Sequence, residues 1–91
     1  MNNTRRKALR ELSEKIAELR DLLDTHKSDI ESQRDDEQEY IDCMPENLQS
    51  SEKYSNAEQA VSSLDDAISE IEDAYNSLES AVSSIEAAIE G

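Results

Sequence analysis

The chain has no Trp and no Phe, and one each of Gly, Pro, Cys and His among 91 residues. Gly91 is terminal and Pro45 is central, so the closely spaced turns of a sandwich or barrel are missing, as is any Gly-rich phosphate loop. Three Tyr are the only aromatic side chains, and 35% apolar residues against 35% charged leave little material for a globular core. A single cysteine, Cys43, forms no intramolecular disulfide, and with His26 alone beside it there is neither a zinc ligand set nor a Cys–His nucleophile. Positive charge is scarce as well: nine Lys and Arg stand against 23 Asp and Glu, a net of −14. A field of that sign argues against DNA, RNA or an anionic membrane as a direct ligand and leaves basic proteins, or cations, as the partner class. No window approaches the ~20 apolar residues of a membrane span, and the N-terminal MNNTRRK runs into polar sequence without the apolar stretch of a signal peptide. The expectation is a cytoplasmic protein with no membrane role.

What is present is helical periodicity. Positions 9, 12, 16, 19, 23, 26, 30, 33, 37, 40 and 44 step by threes and fours and read Leu, Leu, Ile, Leu, Leu, His, Ile, Gln, Glu, Tyr, Met. After Pro45 the stepping resumes at 54, 57, 61, 64, 68, 71, 75, 78, 82, 85 and 89, reading Tyr, Ala, Val, Leu, Ile, Ile, Tyr, Leu, Val, Ile, Ile. Two heptad arms of this length predict a coiled coil, an all-α fold of two long helices. Pro45 disfavours an α conformation at Met44 and ends the first arm. Asn3 or Thr4 caps its start, and Ser55-x-x-Glu58 has the form of a capping box for the second arm. These signals predict a single hairpin over 1–91, with helix one about 4–44, a connector about 45–54 and helix two about 55–90. Within the connector, Pro45 suits the first position of one extra turn, with Leu48 and Tyr54 closing the end of the core. Helix two also repeats AVSSLDDAI at 60–68 as AVSSIEAAI at 81–89, three heptads on.

The columns beside each seam set the orientation. One flank of helix two is acidic (Glu58, Asp65, Glu72, Glu79, Glu86) and the other is alanine (Ala60, Ala67, Ala74, Ala81, Ala88), while helix one carries Arg6, Ser13, Arg20, Lys27 and Arg34 in one column. No Lys or Arg follows Lys53, so the acids of helix two find cations only on helix one, and an antiparallel pairing brings the two columns together. Matching the layers gives pairs whose numbers sum to 101: Met44–Ala57, Tyr40–Val61, Ile30–Ile71, Leu23–Leu78, Leu19–Val82 and Leu12–Ile89. That register places Arg34 near Asp65, Lys27 near Glu72 and Arg20 near Glu79. Such pairs choose register more than they stabilise. In this reading His26 and Gln33 form polar layers, and Glu37 is a charged one opposite Leu64. A two-helix seam stabilises a fold only marginally. The alanine column permits close approach of another helix, so one expectation is a homodimer joined through Ala60, Ala67, Ala74, Ala81 and Ala88 into a four-helix bundle, the other being that these alanines are simply good helix formers on a half-buried flank.

Chemistry is poorly supported. There is no Glu-x-x-His of a di-iron bundle, no metal-ligand cluster and no nucleophile–base pair, so no enzyme activity, metal or cofactor is expected. The run Asp35–Asp42 lacks the central Gly and ligand spacing of an EF-hand loop. It is nevertheless the most unusual local feature. Residues 1–27 hold seven basic and five acidic groups, a net of +2, whereas 28–91 hold two and 18, a net of −16. One reading makes the acids a solvated face that keeps a coiled coil dispersed. The other makes them a docking surface for a basic partner, with contacts at Asp35, Asp36, Glu39, Asp42, Glu46, Asp65, Asp66, Glu70 and Asp73 and with carboxylates spaced ~5–6 Å along the helices in imitation of phosphates.

The connector MPENLQSSE at 44–52, through Pro45, Glu46, Asn47, Leu48, Gln49, Ser51 and Glu52, follows an acidic stretch with Tyr40 and precedes an Ala-rich acidic helix. Over about Asp35 to Gly91 the chain resembles small acidic helical-hairpin proteins encoded by bacteriophages and mobile elements of Gram-positive bacteria, with Lys53-Tyr54 standing where that pattern has Arg-Gly. The resemblance carries no known activity. It implies a mobile-element setting, where short acidic proteins often block host proteins. With the charge asymmetry and the lack of catalytic constellations, the expectation is an inhibitor of a host defence or nucleic-acid-handling protein in a bacterial host cytoplasm, in the style of anti-CRISPR or anti-restriction proteins. The alternative is a structural coiled-coil spacer or assembly module.

Overall fold

The computed structural model describes residues 1–91 as two α-helices, α1 (Asn3–Asp42) and α2 (Glu52–Glu90), joined through a 3-10 turn at Glu46–Leu48, with no strand. The helices pack antiparallel along their length: the Arg6 side chain meets the Ile89 carbonyl at the open end, and Arg34 meets Asp65 toward the connector. The hairpin is a rod of 70 × 14 × 13 Å.

The ends are built by short polar side chains. Asn2 caps α1, its Oδ1 accepting from the Arg5 amide at 2.7 Å, one position before the expected caps. Pro45 ends the helix as anticipated, and α1 stops at Asp42 with Cys43 as its C-cap. In the reversal the Leu48 amide donates to the Pro45 carbonyl at 2.9 Å and the Ser51 amide to the Leu48 carbonyl at 3.0 Å. Helix α2 then begins earlier than the Ser55 box suggests. Ser51 is its N-cap, its Oγ accepting from the Tyr54 amide at 3.3 Å, and Glu52 supplies a carboxylate in the first turn, where the helix dipole favours it. Leu48 is exposed at 46%, so Tyr54 alone packs against the end of the core.

The seam of α2 is the expected one: Ala57, Val61, Val82 and Ile89 are buried, and Tyr54, Leu64, Ile68, Ile71, Tyr75, Leu78 and Ile85 are half-buried between them. The seam of α1 is turned by one column. Its inward positions are Arg6, Leu9, Ser13, Ile16, Arg20, Leu23, Lys27, Ile30, Arg34, Glu37, Ile41 and Met44. The column expected inside, Leu12, Leu19, His26, Gln33 and Tyr40, faces out, with Leu12 at 51%, Leu19 at 55% and Tyr40 at 48% exposure. The layers Tyr40–Val61, Leu19–Val82 and Leu12–Ile89 are therefore corrected, and His26 and Gln33 are surface residues rather than polar layers. In place of Tyr40, Ile41 at 7% exposure packs with Ala57 and Val61.

The physical reason lies in the cation column. With α1 so turned, the stems of Arg20, Lys27 and Arg34 lie across the seam and their heads reach the acidic flank of α2, an arrangement long cationic side chains favour. The bridges anticipated from the sequence are formed: Arg34 Nε to Asp65 Oδ1 at 2.8 Å, Lys27 Nζ to Glu72 Oε1 at 3.4 Å and Arg20 Nη1 to Glu79 Oε1 at 4.0 Å. Arg20 also stands 5.9 Å over the Tyr75 ring. The same turn leaves the core thin. Six residues are buried, one of them Ser13, and no large side chain is fully enclosed.

Candidate functional site

Because Lys27 meets Glu72 across the seam, residues 25–74 form the connector half of the rod. That half holds three basic and 15 acidic residues, a net of −12, while the open-end half holds six and eight, a net of −2. The acid surface is therefore a property of one end. All nine carboxylates singled out there, Asp35, Asp36, Glu39, Asp42, Glu46, Asp65, Asp66, Glu70 and Asp73, are exposed. Three of them have intramolecular partners: Asp65 and Asp35 share the Arg34 guanidinium, and Asp42 accepts from Gln38 at 3.0 Å. The other six make no hydrogen bond or ion pair within the hairpin and present unneutralised charge.

Two cations of the seam, Arg34 and Lys27, are held charged. At Arg34 the hydrogen bond it donates to Asp65 raises the pKa above the ordinary arginine value, against the opposing effect of partial burial. Partial burial pulls the Lys27 ammonium down, but the hydrogen bond and charge of Glu72, together with Glu31 and Asp24, outweigh it and leave the pKa above the ordinary lysine value. These two cations are committed to the hairpin. Lys53 makes no ion pair and is the one cation exposed beside the connector.

An open apolar notch of 590 Å³ at the tip is lined by Tyr40, Met44, Pro45 and Leu48 together with Cys43, Ser51, Glu52 and Lys53. It sits inside the acid surface. Sequence reasoning assigned Tyr40 and Met44 to the seam and Leu48 to the closed end of the core and so missed it, although a Leu in a polar connector was the available signal. Glu37 is half-buried and lines a shallow depression with Tyr40, Lys53, Asn56 and Ala57 rather than pairing with Arg34.

The two flanks of the hairpin are unlike. Beside the seam on one side runs the acidic column of α2; on the other, Ala60, Ala67 and Ala81 are half-buried and Ala74 and Ala88 are exposed. The outward column of α1 borders that alanine flank, so Leu12 and Leu19, with Leu22 at 53% exposure, extend it into a broader apolar surface. His26 and Cys43 are exposed, and no three His, Cys, Asp or Glu side chains are arranged to hold a metal ion. No helix is long and apolar enough to cross a membrane. No protein-family model matches the chain, and no curated protein or solved structure is significantly similar to it.

Proposed function

We propose that this hairpin is a non-enzymatic protein-binding module, of phage or mobile-element origin and acting in the cytoplasm of a bacterial host, whose acidic end occupies a basic surface of a host defence or nucleic-acid-handling protein. The observation that carries the reading is the net charge of −12 in the connector half, where nine of the 15 acids are the exposed carboxylates named above. Exposed charge of one sign steers association with the opposite sign and sets specificity. Rows of carboxylates on two rigid helices follow a partner's phosphate-binding groove, while the notch at Met44 and Leu48 accepts an apolar anchor at its centre. The chain acts as a homodimer.

The test is cross-linked capture from a host lysate at about 50 mM and about 500 mM salt, followed by direct binding of the purified partner. A basic partner that is released at high salt, and that no longer binds Asp35→Asn, Asp36→Asn, Glu39→Gln, Asp42→Asn protein, is the expected result. Retention that ignores both salt and the four neutralisations refutes it. The uncovered leucine surface on a 70 Å rod favours a second reading, a structural spacer or assembly module, for which the four neutralisations leave function intact.

A further inference from the structure

Three features remain unused: the notch at the tip, which belongs to the acidic surface already described, the exposed Cys43, and the outward leucine column of α1. The last goes furthest. Leu12, Leu19 and Leu22 are each more than half exposed within eleven residues of one helix. They share a face, because spacings of seven and three residues return to one side of a helix. Meanwhile the seam they would have filled is occupied by Arg20, Lys27 and Arg34.

The elongated hairpin exposes more surface than a compact chain of its mass. A compact monomer of this mass exposes about 5,400 Å², whereas the hairpin exposes 6517 Å². The flank formed by the leucine column and Ala60, Ala67, Ala74, Ala81 and Ala88 runs along a rod 70 Å long and 14 Å wide. Covering it removes several hundred to about 1,000 Å² per chain, which brackets the ~800 Å² each partner contributes to a standard interface. The flank is matched in length and area by the same flank on a second copy of the chain.

We infer that two hairpins join through this leucine–alanine flank, end to opposite end, into an antiparallel four-helix dimer. The inference deepens the homodimer named above by adding the leucine column of α1 to its alanine face and giving it a direction, and it is independent of the basic partner. Charge chooses the direction. Parallel stacking sets one −12 half on the other, while end reversal sets each on a −2 half. Under end reversal about the middle of the rod, α1 lies along the partner's α1. His26 and Ala74 then fall near the two-fold axis, and Leu12 meets the partner's Tyr40. Lys15, exposed and unpaired in the hairpin, lies near the partner's Asp36. Small-residue approach of the two α2 helices and charge select this arrangement, in which Leu19 falls opposite the partner's Gln33.

Cys43 reports the direction without any engineering, being the single cysteine and exposed. Light scattering of the full chain should give twice the 10.3 kDa chain mass. Spin labels on Cys43 should lie about 50 Å apart, from the helical rise on either side of the axis, against about 20 Å or less for parallel stacking. Leu12→Glu with Leu19→Glu, and separately Ala67→Gln with Ala74→Gln, should halve the mass. Glu58→Gln with Glu86→Gln, on the opposite flank, should leave it unchanged. A folded wild-type chain that scatters as one mass from micromolar to millimolar concentration overturns the interface, and so does a dimer indifferent to both flank variants. A short label distance overturns the direction. Should the flank variants unfold, the wild-type mass and label distance still decide. Loss of basic-partner capture by a chain that remains a dimer would sink the proposed function without touching this interface.

Discussion

Replacing Ile41 with Ala tests the turned seam at its best-packed point. Ile41 is 7% exposed and packs with Ala57, at 4%, and Val61, at 7%, with Tyr54 against the cluster. The substitution removes three carbon groups from that contact, each worth ~0.8 kcal/mol when buried, or about 2.4 kcal/mol in all. A cavity in an enclosed core would add to this, and Ile→Ala changes span ~2–5 kcal/mol. Here the cluster lies at the edge of a two-helix seam where neighbours relax into the space, so the expected cost stays near the bottom of that range. For a chain of this size each kcal/mol moves the melting temperature by ~4–8 °C, which gives a fall of about 10–20 °C. Circular dichroism at 222 nm on heating, with urea unfolding as a second measure, reads it directly. A change smaller than about 4 °C would refute the reasoning, because it would mean that α1 presents Tyr40 rather than Ile41 to Ala57 and Val61.

Two further tests address local features. Ser51→Ala should cost ~1 kcal/mol by removing the cap of α2, while Ser55→Ala should sit within a few tenths of the wild type; equal losses would restore Ser55 as the start signal. Lys27 has a raised pKa in the fold, so its stabilising contribution is complete below the unfolded value of ~10.4 and is lost as pH climbs through the raised value. Melting-temperature differences between the wild type and Glu72→Gln should accordingly be constant through neutral pH and vanish at strongly alkaline pH, and a difference that grows there contradicts the pairing.

The hairpin, its orientation and the cross-helix bridges were legible because each rested on a column with one physical character. Arg34, Lys27 and Arg20 had a single set of acids within reach, since α2 carries no cation beyond Lys53. The rotation of α1 was not legible by the same route. Counting apolar residues selects Leu12, Leu19 and Tyr40 for the seam, because it treats Arg20 and Lys27 as residues that only belong outside. Their aliphatic stems cover the seam of α2 as their charges leave it, and hydropathy assigns no value to that. Leu22 was the overlooked signal. It belongs to neither seam column, and beside Leu19 it makes the apolar face of α1 wider than one partner helix covers. The acids of the connector half were legible as an exposed surface, whereas the notch among them depends on how Leu48 turns in a reversal whose shape only the fold shows.

The reversal between the helices contains no residue with positive φ and no glycine. A proline, one 3-10 turn and a serine cap turn the chain through the ordinary right-handed and extended regions, which nearly every L-amino acid occupies without strain. Side chains at Glu46, Asn47, Gln49 and Ser50 are consequently free of the backbone's demands. Substitutions there alter what the tip presents while the two helices beneath keep their caps and register. The rod behaves as a constant shaft with an exchangeable head, and a lineage confronted with a changed partner surface can answer it in these few positions without refolding anything.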